Sequence, residues 1–212
     1  MSKTIDSFLK FVPNDEWICK SSTLPWLQIQ LDVPCQEILA EANGLYSQAV
    51  HHRADDKLFG GLYSHQGWKS LSLFGDSATT TTHTDSKKNW TEIMDMCPQT
   101  VEFIKKYWEI SNSTGRIRFM WLDPGGYILP HSDRERKGFF ETNVAITNPV
   151  GCKFRFMDYG NVPFEPGTAF MVDISNKHLV VNTSNQIRTH ILVHAKFKND
   201  IVRLSYAHNF YN

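Results

Sequence analysis

The chain has no excess of charge of either sign. Lys and Arg together number 22, Asp and Glu also number 22, and the formal net charge is zero. A chain without net charge has no long-range field that would attract nucleic acid or an anionic membrane surface. We therefore expect neither of them as a partner.

Long apolar runs are also absent. No segment approaches the roughly 20 consecutive apolar residues that a membrane-spanning helix requires. Near the start of the chain, Lys3, Asp6 and Lys10 interrupt the apolar residues, so this segment lacks the apolar centre of a signal peptide. These absences predict a soluble, cytoplasmic protein.

The cysteines are few and form no paired motif. Cys19, Cys35, Cys97 and Cys152 are widely and irregularly spaced, without a C-x-x-C sequence. Structural zinc sites and disulfide frameworks use characteristic cysteine spacings, and neither is indicated here. We expect four reduced, partly buried thiols.

The chain does have the length and apolar content for a full hydrophobic core. Its 212 residues, 41% of them hydrophobic, suit one folded domain. We predict a single domain over residues 1–212, in which a mixed α/β part (1–110) packs on a β-rich core (111–207). Nothing in the sequence predicts an oligomeric state.

The N-terminal part mixes strand and helix patterns. Apolar and polar residues alternate in the segments predicted as strands, and the helical segments show a longer period. A polar loop follows the second strand and is either a cover for a binding site or an ordinary surface loop, His83 included. In order, the predicted elements are a strand at 26–33, a helix at 34–50, a strand at 67–75, the loop at 77–89 and helical structure at 90–108, with Pro98 starting a new helix.

From Arg116 onward the chain consists of short β-rich runs. Gly, Pro and Asn residues separate these runs, as expected for turns between strands. The runs predict a mainly β fold with flanking helices, either a sandwich, a barrel or a jelly roll. They lie at 116–123, 127–133, 142–148, 152–159, 168–174, 178–182, 187–197 and 201–207.

Three residues of this β-rich part are candidate metal ligands. His131 and Asp133 lie two apart on a predicted strand and therefore point to the same side, and His178 begins a later strand. Two imidazoles and one carboxylate on one face are the ligands of non-haem Fe(II) oxygenases. The alternative is a surface pair of His131 and Asp133 together with a core histidine at position 178.

Arg188 supports the metal-site interpretation. It lies in an apolar strand, where an unpaired guanidinium would be costly. A dicarboxylate such as 2-oxoglutarate would supply a partner, because arginine binds carboxylates through two parallel hydrogen bonds. A salt bridge to a protein acid, or a strand edge open to solvent, would satisfy Arg188 equally well. His190 and His194 are not a competing metal pair, because strand residues four apart are separated by about 13 Å.

Segment 67–197 resembles the aspartyl/asparaginyl β-hydroxylase family of Fe(II)/2-oxoglutarate-dependent oxygenases. The resemblance lies in GWKSLSLFG, RIRFMWLDPGGYILPHSD, TNVAITNP, FEPGTAFMVDISNKHLVVN and IRTHILV. His131 after the PGG turn is similar to the family's first ligand motif, and His178-x-x-x-Asn182 is similar to its second. Arg188, ten residues after His178, has the spacing of the family's cosubstrate arginine.

One position departs from the family's best-known branch. Mammalian-type members have glycine where this chain has Asp133, so the sequence looks closer to the proline hydroxylase-like branch with a full His-x-Asp…His triad. The resemblance implies that His131, Asp133 and His178 bind Fe(II) and are catalytic, and that Arg188 and Asn143 bind 2-oxoglutarate. It also implies a double-stranded β-helix, the cupin-like jelly roll.

The implied activity is that of a dioxygenase. Fe(II), 2-oxoglutarate and O₂ would serve to hydroxylate an unactivated C–H bond of an amino acid, peptide or protein side chain, with release of succinate and CO₂. The alternatives are a cupin-type metalloenzyme that does not use 2-oxoglutarate and a non-catalytic binding module.

The partner is expected to be a small-molecule or peptide substrate, and its carboxylate would need a cation. Arginines are mostly exposed, so a solvated surface charge is the simpler interpretation of each candidate. Trp121 either shapes the pocket or, more simply, packs in the core. The candidate cations are Arg118, Arg134, Arg136 and Arg155.

Overall fold

A curled antiparallel sheet with flanking helices makes up most of the structure. The structure, a computed structural model, describes residues 9–10, 12–52, 64–81, 88–111, 113–133, 138–139 and 141–211. The described helices are α1 (Asp15–Ser21), α2 (Cys35–Leu45), α3 (Pro98–Tyr107) and α4 (Ile201–Tyr211), with 3-10 turns at Tyr46–Gln48 and Met94–Met96. The described strands are β1 (Trp26–Ile29), β2 (Val50–His51), β3 (His65–Gly75), β4 (Asn89–Trp90), β5 (Trp108–Glu109), β6 (Ile117–His131), β7 (Glu141–Ala145), β8 (Cys152–Phe156), β9 (Gly160–Asn161), β10 (Ala169–Val172), β11 (His178–Asn182), β12 (Arg188–Val193) and β13 (Lys196–Phe197).

The two arms of the long strand β6 give the sheet two layers. Residues 117–122 pair with β12, whereas residues 127–131 pair with β11. From there the strand order continues as β12–β7–β10–β1 on one side and β11–β8–β9 on the other. The resulting antiparallel layers, β6–β12–β7–β10 and β6–β11–β8–β9, form the double-stranded β-helix predicted from the sequence.

Glycines make the bend between the arms of β6. A Cβ atom at Gly126 would lie 2.8 Å from both the Asp123 carbonyl oxygen and the Leu122 side chain, so no larger residue fits there. Gly125 has φ of +71°, and Gly67 on the paired strand β3 has φ of +66°, a backbone conformation that favours glycine. The DPGG sequence was predicted to separate two strands, and the structure instead runs one bent strand through it.

Two clusters of buried apolar side chains form the core. The larger one lies between the helices and the outer face of the β12 layer, and it contains Trp121, whose role is therefore core packing. The smaller one fills the inside of the double layer and includes Leu122, Phe154, Phe170 and Val180. Because strand residues alternate between the two faces, the odd-numbered residues of the first arm of β6 belong to the larger cluster and Leu122 belongs to the smaller one.

The last predicted strand, 201–207, is wrong, since these residues begin α4. Branched and aromatic side chains favour a strand locally, but contacts with edge strand β1 decide the outcome. The Ser205 hydroxyl accepts from the Gln30 amide at 2.9 Å, and the Asn209 side chain donates to the Gln28 carbonyl at 3.1 Å. The helix thus satisfies backbone groups that an edge strand would leave open.

The other predicted elements are present with shifted ends. Predicted strand 187–197 is divided into β12 and β13, and the helix predicted from Pro34 begins at Cys35. All four cysteines are free thiols. Among the described residues, no helix is both long and apolar enough to cross a bilayer. Part of the predicted loop 77–89, including His83, lies outside the described residues.

Candidate active site

Three potential metal ligands meet at the far end of the second arm of β6. His131, the last residue of β6, pairs directly with His178, the first residue of β11. The Asp133 Oδ2 atom lies 3.5 Å from His131 Nε2 and 3.6 Å from His178 Nε2. All three donor atoms lie within 4.8 Å of one another. Neighbouring ligand atoms about 2.1 Å from one ion are about 3 Å apart, so small side-chain shifts would allow all three to bind it.

Hydrogen bonds fix the orientation of both imidazole rings. His131 Nδ1 lies 2.7 Å from the Leu129 carbonyl oxygen, and His178 Nδ1 lies 2.9 Å from the Asn176 carbonyl oxygen. A carbonyl oxygen only accepts, so each ring carries a proton on Nδ1 and points Nε2, the atom available to a metal ion, toward Asp133. The ring of Phe154 stacks on that of His178 at 5.2 Å. The donor set therefore fits a divalent iron ion.

A cavity of about 130 Å³ extends from these ligands between the two layers. Apolar side chains line the wall nearest to the ligands, among them Ile128, Phe154 and Val180. Arg188 lines the same cavity from the other end, where it pairs with Leu122 next to the bend in β6. The cavity thus connects the metal-ligand cluster at its mouth with a guanidinium at its base.

Arg188 is a buried cation without a carboxylate partner among the described residues. Its side chain is 5% exposed, its Nη2 lies 3.1 Å from His190 Nδ1, and its Nε has no hydrogen-bond partner in the described part of the chain. Burial lowers the pKa of the guanidinium to about 10, so it remains charged at neutral pH. Among the described residues, neither the salt bridge nor the solvent-exposed edge that the sequence left open is observed for Arg188. A buried charge of this kind indicates an anionic ligand.

His190 joins Arg188 to Asn143. The Asn143 Oδ1 atom lies 2.6 Å from His190 Nδ1, the same nitrogen that contacts Arg188. Burial, followed by the nearby charge of Arg188, lowers the pKa of His190 well below its usual value, so the ring is neutral. Nδ1 accepts from Arg188 in one tautomer and donates to Asn143 in the other. The three side chains form one polar group, and Asn143 and Arg188 both line the cavity.

Asn182, from the second family motif, has a structural position. Its side-chain NH₂ donates to the carbonyls of Leu122, Asp123 and Gln186 at 2.9, 3.1 and 2.8 Å. Its Oδ1 accepts from the amide and hydroxyl of Ser184. Asn182 thereby holds the end of β11 against the bend of β6, next to Leu122, which pairs with Arg188.

The wall opposite the metal-ligand cluster carries further charges. Arg118 and Glu141 are 5% and 1% exposed and line the cavity together with His194. Arg118 was one of four candidate cations in the sequence, whereas Glu141 was missed. Glu141 could have been found because it lies two residues before Asn143, so that both side chains point to the same face of a strand. Arg155 is exposed, and Arg134 and Arg136 lie outside the described residues.

The comparisons with known proteins agree with this architecture. A sequence model of the family described as Aspartyl/Asparaginyl beta-hydroxylase matches residues 34–196. No curated protein sequence gives a significant match. A prolyl hydroxylase from Trichoplax adhaerens, solved with a hypoxia inducible factor oxygen degradation domain peptide fragment, is 12% identical with a TM-score of 0.58, and the match covers 96% of each chain.

Two further solved structures are similar over most of the chain. A Pseudomonas putida prolyl-4-hydroxylase is 14% identical with a TM-score of 0.47, covering 82% of this chain and 94% of its own. A collagen prolyl hydroxylase of Paramecium bursaria Chlorella virus-1, in a 2-oxoglutarate complex, is 12% identical with a TM-score of 0.46, covering 83% and 97%. At such identities a structural match concerns the fold alone, and the Trichoplax structure has the same fold as this chain.

Proposed function

The chain belongs to the aspartyl/asparaginyl β-hydroxylase family and is a 2-oxoglutarate-dependent hydroxylase, and we propose on this premise that it hydroxylates an unactivated C–H bond of an amino acid, peptide or protein side chain. The reaction consumes 2-oxoglutarate and O₂ and releases succinate and CO₂. One oxygen atom enters succinate and the other enters the new hydroxyl group. The observation that carries the proposal is that one cavity joins a His-Asp-His cluster to a buried arginine.

The metal-binding role falls to His131, Asp133 and His178. These residues would hold Fe(II) through two imidazole nitrogens and one carboxylate oxygen, the donor set of non-haem iron oxygenases. When bound, iron and 2-oxoglutarate supply the oxidising power for the C–H bond. The Nδ1 hydrogen bonds and the Phe154 stack hold the ligands in place, which supports metal affinity.

The cosubstrate-binding role falls to Arg188 and Asn143. Arg188 would bind the 5-carboxylate of 2-oxoglutarate, because a guanidinium binds a carboxylate through two parallel hydrogen bonds. Asn143 would hold the 1-carboxylate, as the family resemblance implies, and its contact with His190 couples it to Arg188. Apolar residues such as Val172 and Val180 line the cavity between these groups and limit the access of water.

The proposal differs from both alternatives in its use of Arg188. A cupin-type enzyme without 2-oxoglutarate has no need for a buried guanidinium at the base of the cavity, and a non-catalytic module has no need for a complete ligand triad. Strand β3 of the N-terminal part pairs along most of its length with β6 of the β-rich core. This pairing supports one oxygenase domain over residues 1–212. The peptide held by the Trichoplax neighbour keeps a peptide among the substrate classes.

The test is release of succinate from 2-oxoglutarate by the purified protein, with and without Fe(II). We expect turnover that requires Fe(II) and is lost in Asp133→Ala and in His178→Ala. The exposed residues Asp158 and His51 provide matched controls, and we expect Asp158→Ala and His51→Ala to keep full turnover. Equal turnover in the ligand variants and the wild type would exclude these residues as the iron site.

A further inference from the structure

The mouth of the cavity carries a second pair of buried charges, separate from the cosubstrate arginine. Arg118 lies on the first arm of β6 and Glu141 on β7, and both are almost fully buried. Among the described residues, the cavity lining contains two acidic side chains, Asp133 and Glu141, and two arginines, Arg118 and Arg188. Neither Arg118 nor Glu141 has a role in binding the metal or 2-oxoglutarate in the function proposed above.

The register of the strands places these charges opposite the metal ligands. Arg118 precedes Leu122, the partner of Arg188, by four residues, which is about 13 Å along the strand. His131 follows Tyr127, the start of the other arm, by the same number of residues. Arg118 and His131 are therefore both far from the bend, and each lies on a different layer. Arg118 faces the mouth, whereas Arg188 lies at the base.

Glu141 lies nearer the mouth than Arg118, by two strand residues or about 7 Å. The β12 residue Leu192 pairs with Arg118 on one side and with Asn143 on the other, and Glu141 precedes Asn143 by two residues. The side chains of Glu141 and Asn143 consequently point to the same face of β7, into the cavity. A carboxylate and a guanidinium thus flank the space in front of the metal ligands.

Opposite buried charges in a small cavity suit a small zwitterion. A guanidinium binds a carboxylate through two hydrogen bonds, and a carboxylate binds an ammonium group. The cavity of about 130 Å³ is well below the roughly 300–1,000 Å³ of sites that hold drug-sized ligands. Each of the two side chains also interacts with another group of the chain, so a ligand bound here would add to contacts that the two residues already make.

We infer that Arg118 and Glu141 determine the substrate, and that the substrate is a free α-amino acid. Arg118 binds its carboxylate, Glu141 binds its ammonium group, and the amino acid side chain is thereby directed toward the iron ligands. This inference rests on the proposed hydroxylase function and narrows its substrate class. A residue inside a peptide lacks both charges and would leave this polar wall without its ligand.

The test begins with the free L-amino acids as probes, scored by succinate release above the rate without substrate. The amino acid that stimulates most is then compared with its N-acetyl and carboxamide derivatives, in the wild type and in Arg118→Met and Glu141→Gln. In the wild type we expect either derivative to raise KM at least ~30-fold, the loss typical of one buried charged contact. In Glu141→Gln the N-acetyl group should raise KM less than ~3-fold, because the ammonium partner is already gone.

Likewise, in Arg118→Met the carboxamide should raise KM less than ~3-fold, because the partner of the carboxylate is already gone. The exposed residues Arg155 and Glu165 provide matched controls, and Arg155→Met and Glu165→Gln should behave as the wild type. Binding is measured independently of turnover by the tryptophan fluorescence of protein loaded with Mn(II) and 2-oxoglutarate, because Trp68 lines the cavity. If Arg118→Met does not fold, Arg118→Lys keeps the charge and loses the two-point geometry.

Three results overturn the inference. Stimulation by N-acetyl amino acid amides, with none by free amino acids, assigns a peptide substrate instead. Unchanged KM in Glu141→Gln or in the Arg118 variant, with lower thermal stability, makes the charges a structural pair. Equal KM values for the free amino acid and its derivatives remove the role of both charges. A wild type that releases no succinate under any condition contradicts the hydroxylase function itself, which keeps the two failures distinct.

Discussion

Replacing Arg188 by methionine separates the role of its charge from that of its packing. The guanidinium has its pKa lowered from 12.5 to about 10 by burial, and at 1.36 kcal/mol per pKa unit the charged form costs the folded protein about 3 kcal/mol. Because the folded pKa lies below the unfolded value, this cost applies at every pH below about 10. Methionine keeps the apolar stem without the charge. We therefore expect the ligand-free variant to be as stable as the wild type or more stable.

The same substitution should remove the stabilisation by 2-oxoglutarate. Loss of a buried charged contact costs about 2–5 kcal/mol of binding energy, which is at least ~30-fold in Kd. At 100 times its Kd the cosubstrate stabilises the wild type by about 2.7 kcal/mol, or roughly 5–11 °C in Tm for a chain of this size. At the same concentration the variant gains less than about 1 kcal/mol.

The assay is thermal unfolding with Mn(II), with and without 2-oxoglutarate, and the exposed Arg155→Met is the matched control. The Mn(II) affinity of Arg188→Met should remain near that of the wild type, because the proposed metal ligands lie at the other end of the cavity. A variant that is destabilised without ligand, yet stabilised by 2-oxoglutarate as much as the wild type, would refute the assignment of Arg188 to the cosubstrate.

Three further predictions concern the fold and the thiols. In urea unfolding, Gly126→Ala should lower the free energy of unfolding by about 1–3 kcal/mol because its Cβ has no room. Gly44→Ala, which has open space in α2, should raise it by about 0.5–1 kcal/mol. Equal effects of the two substitutions would contradict the packing at the bend. Asn182→Ala should lower the free energy of unfolding by about 2–4 kcal/mol because buried carbonyls lose their donor. A decrease below about 0.5 kcal/mol in the same assay would show that these hydrogen bonds are dispensable. Burial raises the pKa of Cys19 to about 11 and of Cys97 to about 12, so iodoacetamide at pH 8 should alkylate both at least ~100-fold more slowly in folded than in unfolded protein; equal rates would contradict their burial.

The sequence predicted the composition of the candidate site better than its shape. Strand alternation placed His131 and Asp133 on one face, and the structure brings them together with His178, although β6 ends at His131 and Asp133 follows it. The pairing of His131 with His178 depends on the register between β6 and β11. Local patterns do not specify such a register, and only the family resemblance indicated it.

Errors arose where distant contacts override local preference. The α4 helix forms from a sequence typical of a strand because its side chains bind the edge of β1. The bend at DPGG continues a strand because β3 and the facing strands hold both arms. We missed Glu141 because the predicted strand began at residue 142, whereas β7 begins at Glu141, two residues before Asn143 and on the same face.

We propose that this chain consumes O₂ and 2-oxoglutarate together at an iron ion held by His131, Asp133 and His178. The most direct measurement is mass spectrometry of the succinate formed under oxygen-18 gas with Fe(II). We expect one oxygen-18 atom in each succinate molecule from the wild type and no enzymatic succinate from Asp133→Ala. Succinate without the label, or labelled succinate formed equally fast by Asp133→Ala, would contradict it.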